Sequence, residues 1–479
     1  MRTMLGTTAS VSILRRAHLR WAAFIAAILC LALPAGAQQP VVIQHAYLID
    51  GTGRPPVPDA TVVVRDGKIA SVGPSAGFQI PPGAKVIDAK GNSLLPGLAD
   101  MHVHLFVGWD GASADLLNYQ RYLQTLLYSG VTTVLDTGNV QPYILQLRQE
   151  VAAGRLAGPR IYCTGMLIDG ADPIFAAISF AVTSRAQLPR VVRMQAEDKV
   201  DAIKVYVGLS DATVRHLVAQ ARQAHLKVLV DQWWRNGSLD LMHDGITGFA
   251  HVGAAEMPEE AIRLARAKNL PFITTLAVYE SFSGHRLSQS GFWTQPLVAD
   301  TIPKWAITEI RAENQRTLTA AEKSAVEKGE RYLRAATDNA RRLHRAGLLL
   351  VAGTDAPYPG DYLGEGIHRE LELLVEAGLS PLEAITAATR NAALLMDADQ
   401  QWGTVEPGKL ANLLLVRGHP DQHIGDTRNI ELVMKEGTVV DRDAIRQQLA
   451  ADPGFRPVKT VSVHPEETPM DLESLISDP

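Results

Sequence analysis

Between Leu98 and Asp355 short apolar runs alternate with helical patterns eight times, and few architectures accept that rhythm. The spacing predicts strands near Leu98–His104, Val131–Leu135, Arg160–Thr164, Ala202–Val207, Lys227–Asp231, Gly248–His251, Phe272–Leu276 and Leu348–Asp355. Helical stretches lie between them, among them Asp211–Ala224, Pro258–Lys268 and Gly329–Ala346. Eight strand–helix units over about 300 residues predict an α/β chain folded as a (β/α)8 TIM barrel. Residues 280–330 read as a long insertion after the seventh strand, suited to a lid or an entrance.

The two ends of the chain have another character. Ala60-Thr61-Val62-Val63-Val64 and Lys68-Ile69-Ala70-Ser71-Val72 flank Asp66-Gly67, a two-residue hairpin signal. Ala411–Val416 and Leu432–Val440 repeat the β-rich pattern, with a turn at Glu436-Gly437. Residues 38–93 and 401–445 are therefore expected to form one small β-sandwich beside a hydrolase barrel spanning 94–400. Residues 446–479 read as an aperiodic, acidic tail.

The first residues read as an address. Arg15, Arg16 and Arg20 precede an apolar core, Trp21 to Leu33, too short to span a bilayer. Ala35-Gly36-Ala37 offers an A-x-A cleavage site, so residues 1–37 are expected to be a signal peptide and the mature chain to start at Gln38. The expected location is outside the cytoplasm, periplasmic if the source is a Gram-negative bacterium. The Arg15-Arg16 pair also loosely resembles a twin-arginine signal. Cleavage removes four arginines and no acid, moving the formal charge from −5 to −9. Such a surface does not favour nucleic acid or anionic membrane. Cys163 is then alone, so no intramolecular disulfide is available. The expected partner is a small molecule, and a homo-oligomer is compatible with the chain.

Barrel chemistry sits at the C-terminal ends of the strands. The first strand ends in His102-Val103-His104, and period-2 alternation puts both imidazoles on one face. Two such rings can share a metal ion through nitrogen, or form a hydrogen-bonded structural pair. Lys204 on the fourth strand points the same way as Ala202 and Tyr206. A lysine aimed inward either pairs with an acid such as Asp136 or loses its proton, and a neutral amine can add carbon dioxide. His251 ends the sixth strand, as a ligand or a satisfied core histidine. Asp355 ends the eighth, as a catalytic acid or a helix cap.

Taken together, Pro96-Gly97-Leu98-Ala99-Asp100-Met101-His102-Val103-His104, Gly130-Val131-Thr132-Thr133-Val134-Leu135-Asp136, Ile203-Lys204-Val205, Gly245-Ile246-Thr247-Gly248-Phe249-Ala250-His251 and Gly353-Thr354-Asp355 resemble the metal-dependent amidohydrolase superfamily, in its imidazolonepropionase-like and prolidase-like branch. The segment Gly403-Thr404-Val405-Glu406-Pro407-Gly408-Lys409-Leu410-Ala411-Asn412-Leu413 resembles that family's return to its β domain, with Asn412 where an Asp is usual. The resemblance implies that His102 and His104 bind the more buried metal. It implies that Lys204, as a carbamate built from carbon dioxide, bridges to a second metal bound by His251. Asp355 then binds the first metal and shuttles the proton. One or two divalent ions are implied, zinc first, with manganese or iron as alternatives. The fifth strand departs from the pattern: Asp231 stands where the branch carries a ligand histidine. Either Asp231 is a substitute ligand or the second site is weak or absent.

Tyr206 and Tyr279 could donate to an oxyanion or pack as wall, and Trp109, Trp233 and Trp234 could line an apolar pocket or pack in loops. The expected activity is hydrolysis of a C–N bond in a dipeptide, N-acyl amino acid or cyclic amide. A metal-dependent esterase or lactonase, and a non-catalytic binding relative, are the alternatives. A serine hydrolase reading rests on Gly73-Pro74-Ser75-Ala76-Gly77, but Gln79-Ile80-Pro81-Pro82-Gly83 follows where a nucleophile elbow needs a helix.

Overall fold

The protein is described here by a computed structural model covering residues 39–456 apart from 112 and 236. The expected signal peptide, and residues 457–479 of the expected tail, lie outside the described residues.

All eight expected barrel strands are present: Leu98–Val103, Val131–Asp136, Arg160–Cys163, Ala202–Val205, Lys227–Asp231, Gly248–Ala250, Phe272–Ile273 and Leu350–Val351. They lie in two parallel sheets. Three strands run from Leu98–Val103 to Arg160–Cys163. The other sheet holds seven, because Leu167–Asp169 and Ser179–Ala181 add to the edge beside Ala202–Val205. Backbone bonds also link the sheets: Asp201 N donates to Cys163 O at 2.9 Å, and Met101 N to Ala352 O at 3.1 Å. Gly353 permits the second approach. A Cβ there would lie 2.5 Å from Ile273 Cγ2 and 2.9 Å from His102 Cβ.

Between the strands and the helices runs the largest apolar core, with Val134, Val205, Val230, Phe249 and Phe272 against Leu217, Ile262 and Leu343. Each such side chain contributes roughly 1.5–3 kcal/mol on burial. The helix Ala320–Arg345 starts earlier than its periodicity suggests, because Thr319 and Glu322 close a capping box. The insertion is itself helical, with Leu276–Ser283, His285–Ser288, Pro296–Ala299 and Lys304–Gln315.

Both chain ends meet in one eight-stranded sheet, where Ser93–Pro96 pairs with Leu413–Val416 and, on its other side, with Val41–Leu48. The hairpin at Asp66-Gly67 is present, both residues at positive φ. Ser75 follows the end of that hairpin's second strand, its hydroxyl 2.8 Å from Thr61 Oγ1, with no helix after it. The expected boundary at 445/446 cuts a helix, Arg442–Ala451, which packs on the helix Tyr119–Tyr128. Among the described residues no helix is long and apolar enough to cross a membrane.

One buried histidine ties the helix Glu365–Glu376 to the C-terminal segment. His368 contacts Ser129 O and Thr427 Oγ1, each at 2.9 Å. Burial, with Arg428 close by, pushes its pKa down to about 3. The folded chain therefore refuses a proton that the unfolded chain accepts below about pH 6.5. The contribution of His368 to stability is full above that pH and falls by about 1.4 kcal/mol per pH unit as pH drops toward 3. The His368→Gln variant is expected to lose about 2 kcal/mol of the wild type's pH dependence between pH 6.5 and 5. Urea midpoints at the two pH values check this.

Candidate active site

The six side chains singled out on strand ends gather at one end of the parallel sheets, in two sets of three. His102 and His104, two residues apart on one strand, face Asp355 from the eighth. Asp355 Oδ1 lies 3.2 Å from His102 Nε2 and 3.0 Å from His104 Nε2. Across the site, Asp231 Oδ2 lies 3.2 Å from both Lys204 Nζ and His251 Nε2. The sets touch where the His102 and His251 rings stand 4.7 Å apart.

Strand register explains the second set. Lys204 pairs with Leu229 on the neighbouring parallel strand, and Asp231 stands two residues further on the same face. The lysine stem thus rises one layer to meet the carboxylate. Asp136, the partner considered from sequence, is engaged elsewhere: its Oδ2 accepts from Leu105 N and Asn139 Nδ2, each at 2.9 Å.

Several contacts orient these groups. His104 Nδ1 lies 2.8 Å from Gly138 O, which aims Nε2 into the site. His251 Nδ1 lies 2.7 Å from Thr275 Oγ1. Asp100 accepts from Thr354 N and Oγ1 at 3.0 and 2.8 Å, fixing the turn that carries Asp355. His251, Thr275 and Asp355 all have left-handed backbones, with φ of 70°, 51° and 74°. That conformation is costly for a β-branched threonine, and such strain gathers at functional sites.

Electrostatics sharpen the division of roles. Burial, and then the charge of Lys204, holds the His102 pKa well below its usual value, so its ring is neutral. Burial opposes charge on His104 too, but Asp355 and Asp136 outweigh it and raise its pKa. Burial would raise Asp355, yet His102, His104 and His251 hold it well below the usual carboxylate range. Asp231 is held low against burial by His251 and Lys204. Behind them, burial pushes Asp100 up to about 7.

Both ring nitrogens of His102 are buried without an aligned hydrogen bond, as is Asp231 Oδ2. Among the described residues, one group of three offers ligand atoms all within 4.8 Å of one another: His102, His104 and Asp355. Two imidazole nitrogens and a carboxylate oxygen form a donor set suited to a divalent ion, with a position left open.

Aromatic rings cover the other set. Trp233 stacks on Tyr279 at 4.2 Å, meets His251 edge-on at 5.1 Å, and touches Phe282 and Tyr332. Trp234 joins through Tyr332. The Tyr279 hydroxyl is buried with no hydrogen-bond partner. Tyr206 packs against Phe175 at 5.8 Å, and burial raises its pKa, as do Asp231, Tyr358 and Asp355. Trp109 stands apart from this wall, packed between Tyr122 and Trp305. Thr275 and Tyr358 were not singled out from sequence. Tyr358, three residues after Asp355, was within reach of strand-end reasoning, whereas nothing local marks Thr275.

A model of the amidohydrolase family matches residues 93–440. The chain belongs to that family. Within it the chain falls in the imidazolonepropionase-like and prolidase-like branch. It is 23% identical over 414 residues to imidazolonepropionase of Symbiobacterium thermophilum, covering 82% of this chain and 92% of the relative. It is 25% identical over 439 residues to ochratoxinase of Aspergillus niger, covering 80% and 82%. The structure of a putative prolidase from Bifidobacterium longum superposes with a TM-score of 0.69 at 26% identity, covering 86% of this chain and all of that one. This amidohydrolase therefore has a TIM-barrel-like α/β fold and is a hydrolase acting on C–N bonds. Divalent metals are general in the family, and His102, His104 and Asp355 form a possible site for one.

Proposed function

We propose that this amidohydrolase is an exported, metal-dependent enzyme that hydrolyses an amide-type C–N bond in a dipeptide, N-acyl amino acid or cyclic amide. The observation that carries the reading is the convergence of His102, His104 and Asp355, with the nitrogens of His102 buried and free of hydrogen bonds. The relatives support the bond type, since they are named as an imidazolonepropionase, a prolidase and an ochratoxinase. We also read the two parallel sheets as one closed barrel over 94–400, with the ends of the chain as a sandwich domain. The apolar core and A-x-A site at the N-terminus support export.

A divalent ion held by the three donors, with zinc as the first candidate, would polarise the carbonyl and make water more acidic. The rest falls to the protein's own groups. Water adds to the carbonyl carbon, and Asp355 takes its proton. Asp355 then returns a proton to the nitrogen as the C–N bond breaks, leaving a carboxylic acid and an amine. Its very low pKa suits transient rather than lasting protonation. The partnerless Tyr279 hydroxyl and the Tyr206 hydroxyl are the donors available to the developing oxyanion.

The wall of Trp233, Tyr279, Phe282 and Tyr332 suits an apolar, preferably aromatic, substituent. The Trp233→Ala variant is accordingly expected to raise KM for an aromatic N-acyl substrate about tenfold more than for its acetyl counterpart, from the roughly 1–1.5 kcal/mol of one aromatic contact. A matched substrate pair measures it.

Amine release from a panel of N-acyl amino acids, dipeptides and lactams, each beside its ester or lactone, tests the bond assignment. Amide turnover supports it. Turnover of the oxygen esters alone replaces it with the esterase reading, and metal-loaded protein that turns over none of them overturns it.

A further inference from the structure

We infer that Lys204 and Asp231 are retained as a buried ion pair in the place of a second metal, leaving His102, His104 and Asp355 as a single-metal centre. This rests on the metal-dependent reading above and narrows it. The carboxylate of Asp231 is hydrogen-bonded through Oδ1 and ion-paired, without an aligned hydrogen bond, through Oδ2. Oδ1 accepts from Trp233 N at 2.9 Å, and Oδ2 lies 3.2 Å from both Lys204 Nζ and His251 Nε2. The pair is reached through adjacent strands on a shared face, so neither side chain has to leave its rotamer layer to find the other.

Charge is consistent with this arrangement. As a carbamate, Lys204 would place an anion beside Asp231 that only a second divalent ion could offset. As an ammonium, it neutralises Asp231 and leaves one carboxylate for one divalent ion.

Access agrees. The side chains of His104 and Asp355 keep 15% and 12% of their surface, while His102 behind them keeps none. Those of Lys204, Asp231 and His251 keep 2%, 1% and 4%. Trp233 lies over the second set, its ring 5.1 Å from His251 and stacked on Tyr279. Three protein donors and an open fourth position form a common catalytic metal site. Lys204 and Asp231 are thus positioning residues: they hold His251 and set the field around His102 without touching the metal.

Elemental analysis of the full chain, loaded with zinc in the presence and absence of bicarbonate, tests this. One zinc per chain, independent of bicarbonate, is expected. Two zinc ions, the second requiring bicarbonate, overturn the inference while leaving the proposed hydrolase intact. No zinc at all overturns both. Asp231→His removes the lysine's partner and restores a nitrogen donor, so it is expected to take up a second zinc when bicarbonate is present. If it stays at one, Asp231 is not what excludes the second ion, and the inference falls. Lys204→Met combined with Asp231→Asn keeps the shape and removes both charges. This double variant should still hold one zinc per chain, and loss of that zinc would show that one of the pair is a ligand.

Discussion

His102→Ala eliminates hydrolysis and metal retention together. The imidazole is fully buried, its pKa is held low by burial and Lys204, and neither nitrogen is spent on a hydrogen bond. A structural histidine of that burial would be expected to have partners, as His368 does at 2.9 Å on both nitrogens. Losing one of three donors removes the Lewis acid, which supplies several kcal/mol of barrier lowering. At 1.36 kcal/mol per tenfold, about 4 kcal/mol corresponds to a fall of roughly 10³ in kcat/KM. Zinc content and amine release on the same sample check the result, with circular dichroism to show that the fold survives. A variant that keeps both metal and turnover removes His102 from the site.

Asp355→Asn separates binding from proton transfer. Asn tolerates the left-handed backbone that Asp355 adopts at φ 74°, so the turn behind the eighth strand is preserved. Its amide oxygen can still face the two imidazoles at about the same distance. It cannot accept and return a proton at any useful pH, and general acid–base catalysis is worth about 10²–10⁴ in rate. The expected outcome is a fall of that size in kcat with a much smaller change in KM and with the metal weakened rather than lost. Steady-state kinetics at saturating zinc measure it. An unchanged kcat assigns the proton to another group, and Asp100, held against Thr354 behind the same turn, is a carboxylate of the supporting layer.

Strand positions were legible because barrel strands are buried on both faces and read as apolar runs, as in Gly248-Phe249-Ala250 and Lys227-Val228-Leu229-Val230. The edge strands Leu167–Asp169 and Ser179–Ala181 were not, since three-residue segments in a loop carry no period. Helix Arg442–Ala451 was missed for a different reason. Its apolar face reduces to Ile445 and Leu449 among polar residues, and its cap, Asp441, lies outside the pattern. Alternation put His102 and His104 on one face, and strand-end position singled out Lys204, Asp231, His251 and Asp355, which the structure brings together. Which of them pair is a matter of register between strands, and a single sequence does not display register. Lys204 with Asp231 rather than Asp136 is the clearest case.

The most direct test of a metal-dependent C–N hydrolase is a titration. The protein is stripped with a chelator, and zinc is returned in sub-stoichiometric steps while amine release from an N-acyl amino acid is followed. Activity absent in the stripped protein, rising linearly and breaking at one zinc per chain, is the predicted result. Full turnover by protein shown by elemental analysis to hold no metal would contradict it.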